Sequence, residues 1–217
     1  MDTGIMIEKS ARTEVPIAAL LSRRWSGRAF DSERPVAAAD LLALMEAARW
    51  APSCFGDEPW RFVVCERERD GSAWAGVWDC LAPGNQGWAK EAPLLIAVTA
   101  ASRFQRDGRP NRWGSYDTGA AAMSLALQAT ELGLMVHQMG GFDEARLKLR
   151  LGIPEDYHCM SVMAVGYALP AARVPETLRE REQAPRSRRP WRESFYFGAW
   201  GRSRDTNQPA VRGESPS

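Results

Sequence analysis

Pro93-Leu94-Leu95-Ile96-Ala97-Val98 places five apolar residues in a row behind a proline. A strand with one face in water alternates polar and apolar, whereas an unbroken run of this length is buried on both faces, so it predicts a central strand. Working outward, residues 119–134 are Ala-rich and apolar nearly all round. That helix must pack on most sides, either as the core helix of the domain or against a second subunit as well. Asp117 or Thr118 is placed to cap it, and Gly133 lets the chain leave in a left-handed conformation. A strand over 135–139, the turn Gly140-Gly141, a helix over 143–151 and a strand over 160–167 follow. On the other side, Arg61-Phe62-Val63-Val64-Cys65 has strand composition. Before it comes a helix that starts at Asp40, puts Leu41, Leu44, Met45 and Ala48 on one face and is stopped by Pro52. A first helix spans residues 15–23. Residues 70–90, rich in Trp and Gly, show only weak helical period. The sum is an α+β domain with a mixed sheet.

The 28 Lys and Arg balance 27 Asp and Glu, and a net charge of +1 gives no global reason to expect a nucleic-acid or membrane partner. Any bound anion must be held by local charge. No apolar stretch reaches the ~20 residues of a bilayer span, and the N-terminus has no signal-peptide core, so a cytoplasmic protein is expected. Cys54, Cys65, Cys80 and Cys159 lie far apart without a C-x-x-C pair, which argues against zinc and against a disulfide scaffold. Past Pro170 the chain is polar and Arg-rich. Such a composition cannot fold alone, so it packs across something else or stays mobile.

Arginines gather beside small or hydroxyl residues in two places, 23–28 and 186–189, with Ser53 in a third loop. Guanidinium forks satisfy phosphate oxygens in pairs, so two converging clusters would make a phosphate site. Taken singly, each cluster reads as solvated surface, and there is no P-loop or G-x-G-x-x-G. The order of several motifs is more telling. Arg24-Trp25-Ser26-Gly27-Arg28-Ala29-Phe30 comes first, then Ala47-Ala48-Arg49-Trp50-Ala51-Pro52-Ser53-Cys54-Phe55 with Pro59-Trp60-Arg61-Phe62-Val63-Val64. Asn85 with Ala92-Pro93, the helix opening Asp117-Thr118-Gly119-Ala120-Ala121, Gly140-Gly141-Phe142-Asp143, Ala164-Val165-Gly166-Tyr167 and Arg188-Arg189-Pro190 complete the series. Over about residues 17–201 this succession resembles the nitroreductase family.

The resemblance implies a mainly antiparallel sheet flanked by helices, a bound FMN and a homodimer with the cofactor at its interface. It assigns Arg24, Trp25, Ser26 and Arg28 to the phosphate, ribityl chain and pyrimidine edge. Pro52, Ser53 and Cys54 would line the isoalloxazine, Asn85 its polar edge, and Met139, Gly140 and Gly141 would approach the reactive N5. Arg186 and Arg188 would return to the phosphate from a C-terminal extension embracing the partner subunit. The implied activity is ping-pong hydride transfer from NAD(P)H to a small electron-poor acceptor of nitroaromatic or quinone type. Other reactions on the same cofactor (dehalogenation, dehydrogenation, flavin fragmentation) and non-catalytic flavin binding are the alternatives. The expected layout is a tail at 1–14, the FMN domain at 15–201 and a flexible tail at 202–217.

Gly56 and Glu58 stand where the family usually has Asn and Gln. A carboxylate near the flavin pyrimidine opposes the charge gained on reduction, so either Glu58 points away or the potential falls. His137 is a candidate proton donor and Cys54 a candidate reactive thiol. For both, the plainer reading is packing.

Overall fold

The computed structural model describes residues 5–203. The strands are β1 Trp60–Glu66, β2 Leu94–Ala101, β3 Leu134–Met139 and β4 Tyr157–Tyr167, and they form one sheet in the order β1-β2-β4-β3. Every pairing is antiparallel, so the sheet expected to be mixed and mainly antiparallel is antiparallel throughout among the described residues. The helices are α1 Ala19–Arg23, α2 Ala38–Arg49, α3 Gly71–Asp79, α4 Pro83–Ala89, α5 Gly114–Glu131, α6 Glu144–Leu151 and α7 Glu176–Gln183. The fold class is α+β.

Strand β2 is interior, and all of its residues are buried. Its side chains alternate between two cores, as a pleat requires. Leu95 and Ala97 join Phe30, Val77, Trp88 and Leu147 on one face. Leu94, Ile96 and Val98 join Leu44, Ala121, Leu125 and Ala129 on the other. Full burial of each large apolar side chain contributes on the order of 1.5–3 kcal/mol, so this strand is the main organiser of the fold. Close strand packing also explains Gly166 on β4, where a Cβ would lie 2.5 Å from Pro93 Cδ and 3.2 Å from Phe30 Cδ1. Gly166→Ala is expected to cost roughly 1–3 kcal/mol by overpacking. For a chain of this size that lowers the melting temperature by roughly 3–10 °C, measurable by calorimetry.

Several element boundaries differ from expectation, each for an identifiable reason. Helix α2 begins at Ala38, not Asp40, and the Asp40 carboxylate accepts from the Tyr167 hydroxyl at 3.0 Å instead of capping. Helix α5 begins at Gly114, so neither Asp117 nor Thr118 caps it; Asp117 is buried inside the first turn. The weakly periodic stretch 70–90 holds two short helices, α3 and α4, each with a Trp on its buried side. The polar region past Pro170 contains α7, which buries Glu182. Asp143 caps α6 by accepting from the Arg146 N–H at 3.0 Å, and Gly133 leaves α5 with φ 73°, as its position after the helix predicts.

The chain divides into two compact units, one ending at Pro185 and the other beginning at Arg186. The second contains a short 3-10 turn, Trp191–Glu193, and two ring pairs, Trp191 with Phe197 and Tyr196 with Trp200. Most of the expected tail at 202–217 lies outside the described residues. No helix among the described residues is long and apolar enough to cross a membrane.

Candidate functional site

The segment Arg24–Arg28 runs beside β3, an edge strand, and is tied down on both sides. The His137 ring nitrogen Nδ1 lies 3.0 Å from the Gly27 carbonyl oxygen, and the Arg28 N–H donates to Glu182 Oε1 at 2.9 Å. Gly27 is buried between these two ties, because a Cβ there would lie 2.2 Å from Met135 Sδ and 2.9 Å from the Trp25 ring. Arg24 donates to the Ser26 hydroxyl at 3.3 Å. The Arg28 guanidinium lies 5.8 Å from the Trp88 ring centroid, and Trp88 in turn packs on His137 at 4.5 Å. Arg28 forms no ion pair with a carboxylate among the described residues, whereas Arg23 pairs with Glu131. The loop therefore presents positive charge on a fixed backbone.

The two ties have opposite electrostatic character. Burial pushes the His137 pKa down to about 4; the Gly27 carbonyl pulls the other way, while the charges of Arg28 and Arg24 add to the fall. The ring is neutral at pH 7. Since a carbonyl only accepts, Nδ1 carries the hydrogen, and that hydrogen is committed to Gly27. Glu182 is raised above the usual carboxylate range by burial, which the backbone N–H groups of Arg28 and Ala29 and the charges of Lys9 and Arg28 partly offset.

A second group of predicted residues meets at the end of β3. The Gly141 carbonyl accepts from the Asn85 side chain at 3.1 Å and from the Ala82 N–H at 2.9 Å. A Cβ on Gly141 would press on both, at 3.1 and 3.2 Å, while one on Gly140 would meet nothing within 4 Å. Met139 is buried. Helix α4 carries both Asn85 and Trp88, so it joins this turn to the Arg28 loop.

The Ser53 loop is held elsewhere. Ser53 Oγ accepts from the Glu58 N–H at 3.0 Å, and the Cys54 N–H donates to the buried Asp117 carboxylate at 2.9 Å. Phe55 and Glu58 are left-handed, with φ of 58° and 48°, and both side chains are exposed. This loop leads into β1, the edge opposite β3, at the same end of the sheet as Gly140. Three strand spacings of ~4.8 Å put roughly 14 Å between the two edges. Arg186 and Arg188 belong to the second unit, where Arg188 donates to the Ser187 carbonyl at 2.8 Å.

Glu182 and Trp88 support the site without a local signal in the sequence, whereas Asp117, an acid in the opening turn of a helix, reads as a cap and instead holds the Ser53 loop.

A family model described as the nitroreductase family matches residues 21–167. The chain belongs to the nitroreductase family. It is 34% identical, over 88% of its length and 96% of the other chain, to a crystal structure of an oxidoreductase containing FMN, with a TM-score of 0.80. A nitroreductase family protein of Streptococcus pneumoniae shares the fold at a TM-score of 0.66 and 20% identity, covering 82% of this chain and 98% of that one. By sequence, the chain is 27% identical to the NADH dehydrogenase of Thermus thermophilus, over 65% of its own length and 83% of that protein. An uncharacterised 15.4 kDa protein of Mycolicibacterium smegmatis is 34% identical over 52% of this chain and 76% of its own.

Proposed function

We propose that this nitroreductase-family chain is an FMN oxidoreductase that works as a homodimer and passes hydride equivalents from NAD(P)H to a small, flat, electron-poor acceptor. The observation that carries the reading is Arg28: a guanidinium that forms no ion pair with a carboxylate among the described residues, on a loop whose backbone is fixed by Glu182 and His137. The donor set suits FMN, since two arginines and the Ser26 hydroxyl on one short loop match the oxygens of a phosphate and its ribityl neighbour. The relative containing FMN supports the cofactor, and the Thermus protein named NADH dehydrogenase supports the donor.

When bound, FMN supplies the hydride chemistry through N5; the protein's share is placement and exclusion of water. Arg24, Ser26 and Arg28 would hold the phosphate end. Gly140 and Gly141 admit the ring edge, which Asn85 borders while bonded to the Gly141 carbonyl. Pro52, Ser53 and Cys54 come from the partner subunit, because in one protomer their loop lies at the opposite sheet edge. Exposed Leu42, Met45 and Trp50 on and beside α2, with Tyr116 and Met123 on α5, supply an apolar face for that association. His137 acts by holding Gly27, its only N–H being committed there, and proton delivery falls to solvent. Free thiols at Cys54, Cys65, Cys80 and Cys159 suit a reducing cytoplasm.

Mixing the FMN-loaded protein with NADH or NADPH without oxygen is expected to bleach the flavin absorbance, and a nitroaromatic or quinone to restore it. Bleaching by neither donor overturns the reductase reading. Arg28→Ala is expected to weaken FMN binding by tenfold or more, as loss of a charge-assisted contact implies. Quenching of FMN fluorescence on titration measures it.

A further inference from the structure

Phe55 is 70% exposed in a left-handed conformation, a backbone strain for a residue other than glycine. What lies against it is the loop 102–113, Ser-Arg-Phe-Gln-Arg-Asp-Gly-Arg-Pro-Asn-Arg-Trp. The Arg106 guanidinium sits 3.9 Å from the Phe55 centroid and 5.4 Å from that of Phe104. Phe104 meets Phe55 edge-on at 6.0 Å and packs against Trp113 at 6.3 Å. The result is a shelf of one exposed ring, Phe55, backed by the buried Phe104, with a cation laid on it.

The shelf is rigid. Phe104 and Arg109 close the loop through an N–H to carbonyl bond of 2.8 Å, Gly108 turns it at φ 72°, and Gln105 donates to both the Asp57 carboxylate and the Asp57 carbonyl. It is also basic. Arg103, Arg106, Arg109 and Arg112 face one acid within the loop, Asp107, which Arg106 and Arg109 share. Asp57 and Glu58 on the adjoining loop, set against Arg61, leave the patch positive in a chain whose net charge is +1.

We infer that Phe55, Phe104 and Arg106 form an acceptor subsite selective for flat aromatic anions, such as ring carboxylates and sulfonates. This rests on the reading above, which sets the Ser53 loop against the flavin: Phe55 is two residues from Ser53, so its ring borders whatever stacks there. Offset stacking on Phe55 takes the acceptor's ring, and Arg106 takes its anionic substituent. The adenosine phosphate of NADPH sits a whole dinucleotide away from the reacting nicotinamide carbon and is not what this shelf would hold.

The test uses full-length FMN-loaded enzyme, reduced with dithionite and mixed anaerobically with 4-nitrobenzoate or its neutral methyl ester. The ratio of the two flavin reoxidation rates is expected to fall about fivefold in Arg106→Gln, the size an exposed ion pair allows. Raising salt should lower that ratio in the wild-type enzyme and leave the variant unmoved. Phe55→Gly is expected to slow both acceptors while holding or raising the melting temperature, because glycine adopts the left-handed backbone freely. A ratio unchanged in Arg106→Gln, or a charge effect confined to reduction by NADPH against NADH, overturns the subsite and leaves the oxidoreductase reading intact. Failure to bind FMN overturns both.

Discussion

Gly27→Ala is expected to release FMN from a protein that still folds. The added methyl would sit 2.2 Å from Met135 Sδ, 2.9 Å from the Trp25 ring and 3.0 Å from Glu182 Oε2. Met135 is buried on β3, so its sulfur cannot simply swing away, and Trp25 is itself pinned under Lys9 at 4.6 Å. The loop must lift, and lifting it breaks the bonds from Arg28 to Glu182 and from His137 to Gly27. Overpacking costs roughly 1–3 kcal/mol, with about 1 kcal/mol more for each hydrogen bond lost. That predicts a melting temperature lower by roughly 5–15 °C. Cofactor loss should be the larger effect, because Arg24, Ser26 and Arg28 all ride on this backbone and a displacement of about 1 Å removes their convergence. FMN affinity is expected to fall a hundredfold or more, read by fluorescence titration. Gly71→Ala is the control: a Cβ there meets nothing within 4 Å, and wild-type affinity is expected. An unchanged FMN affinity in Gly27→Ala would mean that the loop does not hold the cofactor.

The same loop shows what the sequence makes legible and what it does not. The unbroken apolar run at 94–98 declares an interior strand because burial on both faces leaves no polar position, and the strand is there. The arginines and Ser26 read as solvated surface when taken singly, and only their place in the order of family motifs assigns them to an anion. Their support is not readable. Glu182 lies 154 residues from Arg28, in a segment whose composition argues against folding, and it folds because the Arg28 and Ala29 N–H groups offer a buried carboxylate its partners. Asp117 and Asp40 resemble helix caps, yet both carboxylates are claimed by distant groups, the Cys54 N–H and the Tyr167 hydroxyl. Local propensity reads a side chain against its own helix; competition from tertiary partners has no local signature. Trp88 illustrates the converse: its stretch is too rich in Gly to look helical, and packing against His137 and Phe30 supplies what propensity lacks.

Acid should open this latch, and the sign follows from the two groups that close it. His137 is held near 4 in the folded protein against 6.5 for a free imidazole, so between those values the unfolded chain binds a proton that the native one refuses. Stability is therefore complete above pH 6.5 and falls as pH drops toward 4, by on the order of 3 kcal/mol for a shift of this size. Glu182 acts in the opposite sense. Its raised value means the native state takes up a proton first, so its contribution is greatest below 4.5 and declines as pH rises. Arg24, Arg28 and Lys9 are the other charges facing the pair. Denaturant melts at pH 7 and pH 5 separate the two groups when each variant is compared with the parent, which cancels the remaining carboxylates. His137→Asn, whose amide nitrogen occupies nearly the place of Nδ1 and still donates to Gly27, is expected to flatten the pH dependence and to keep FMN at pH 5. Glu182→Gln keeps an acceptor for the Arg28 N–H and removes the opposing titration, so its dependence should be steeper. Equal slopes in His137→Asn and the parent would show that the imidazole takes up its proton as readily in the fold as outside it, and the neutral tie between β3 and the arginine loop would have to be given up.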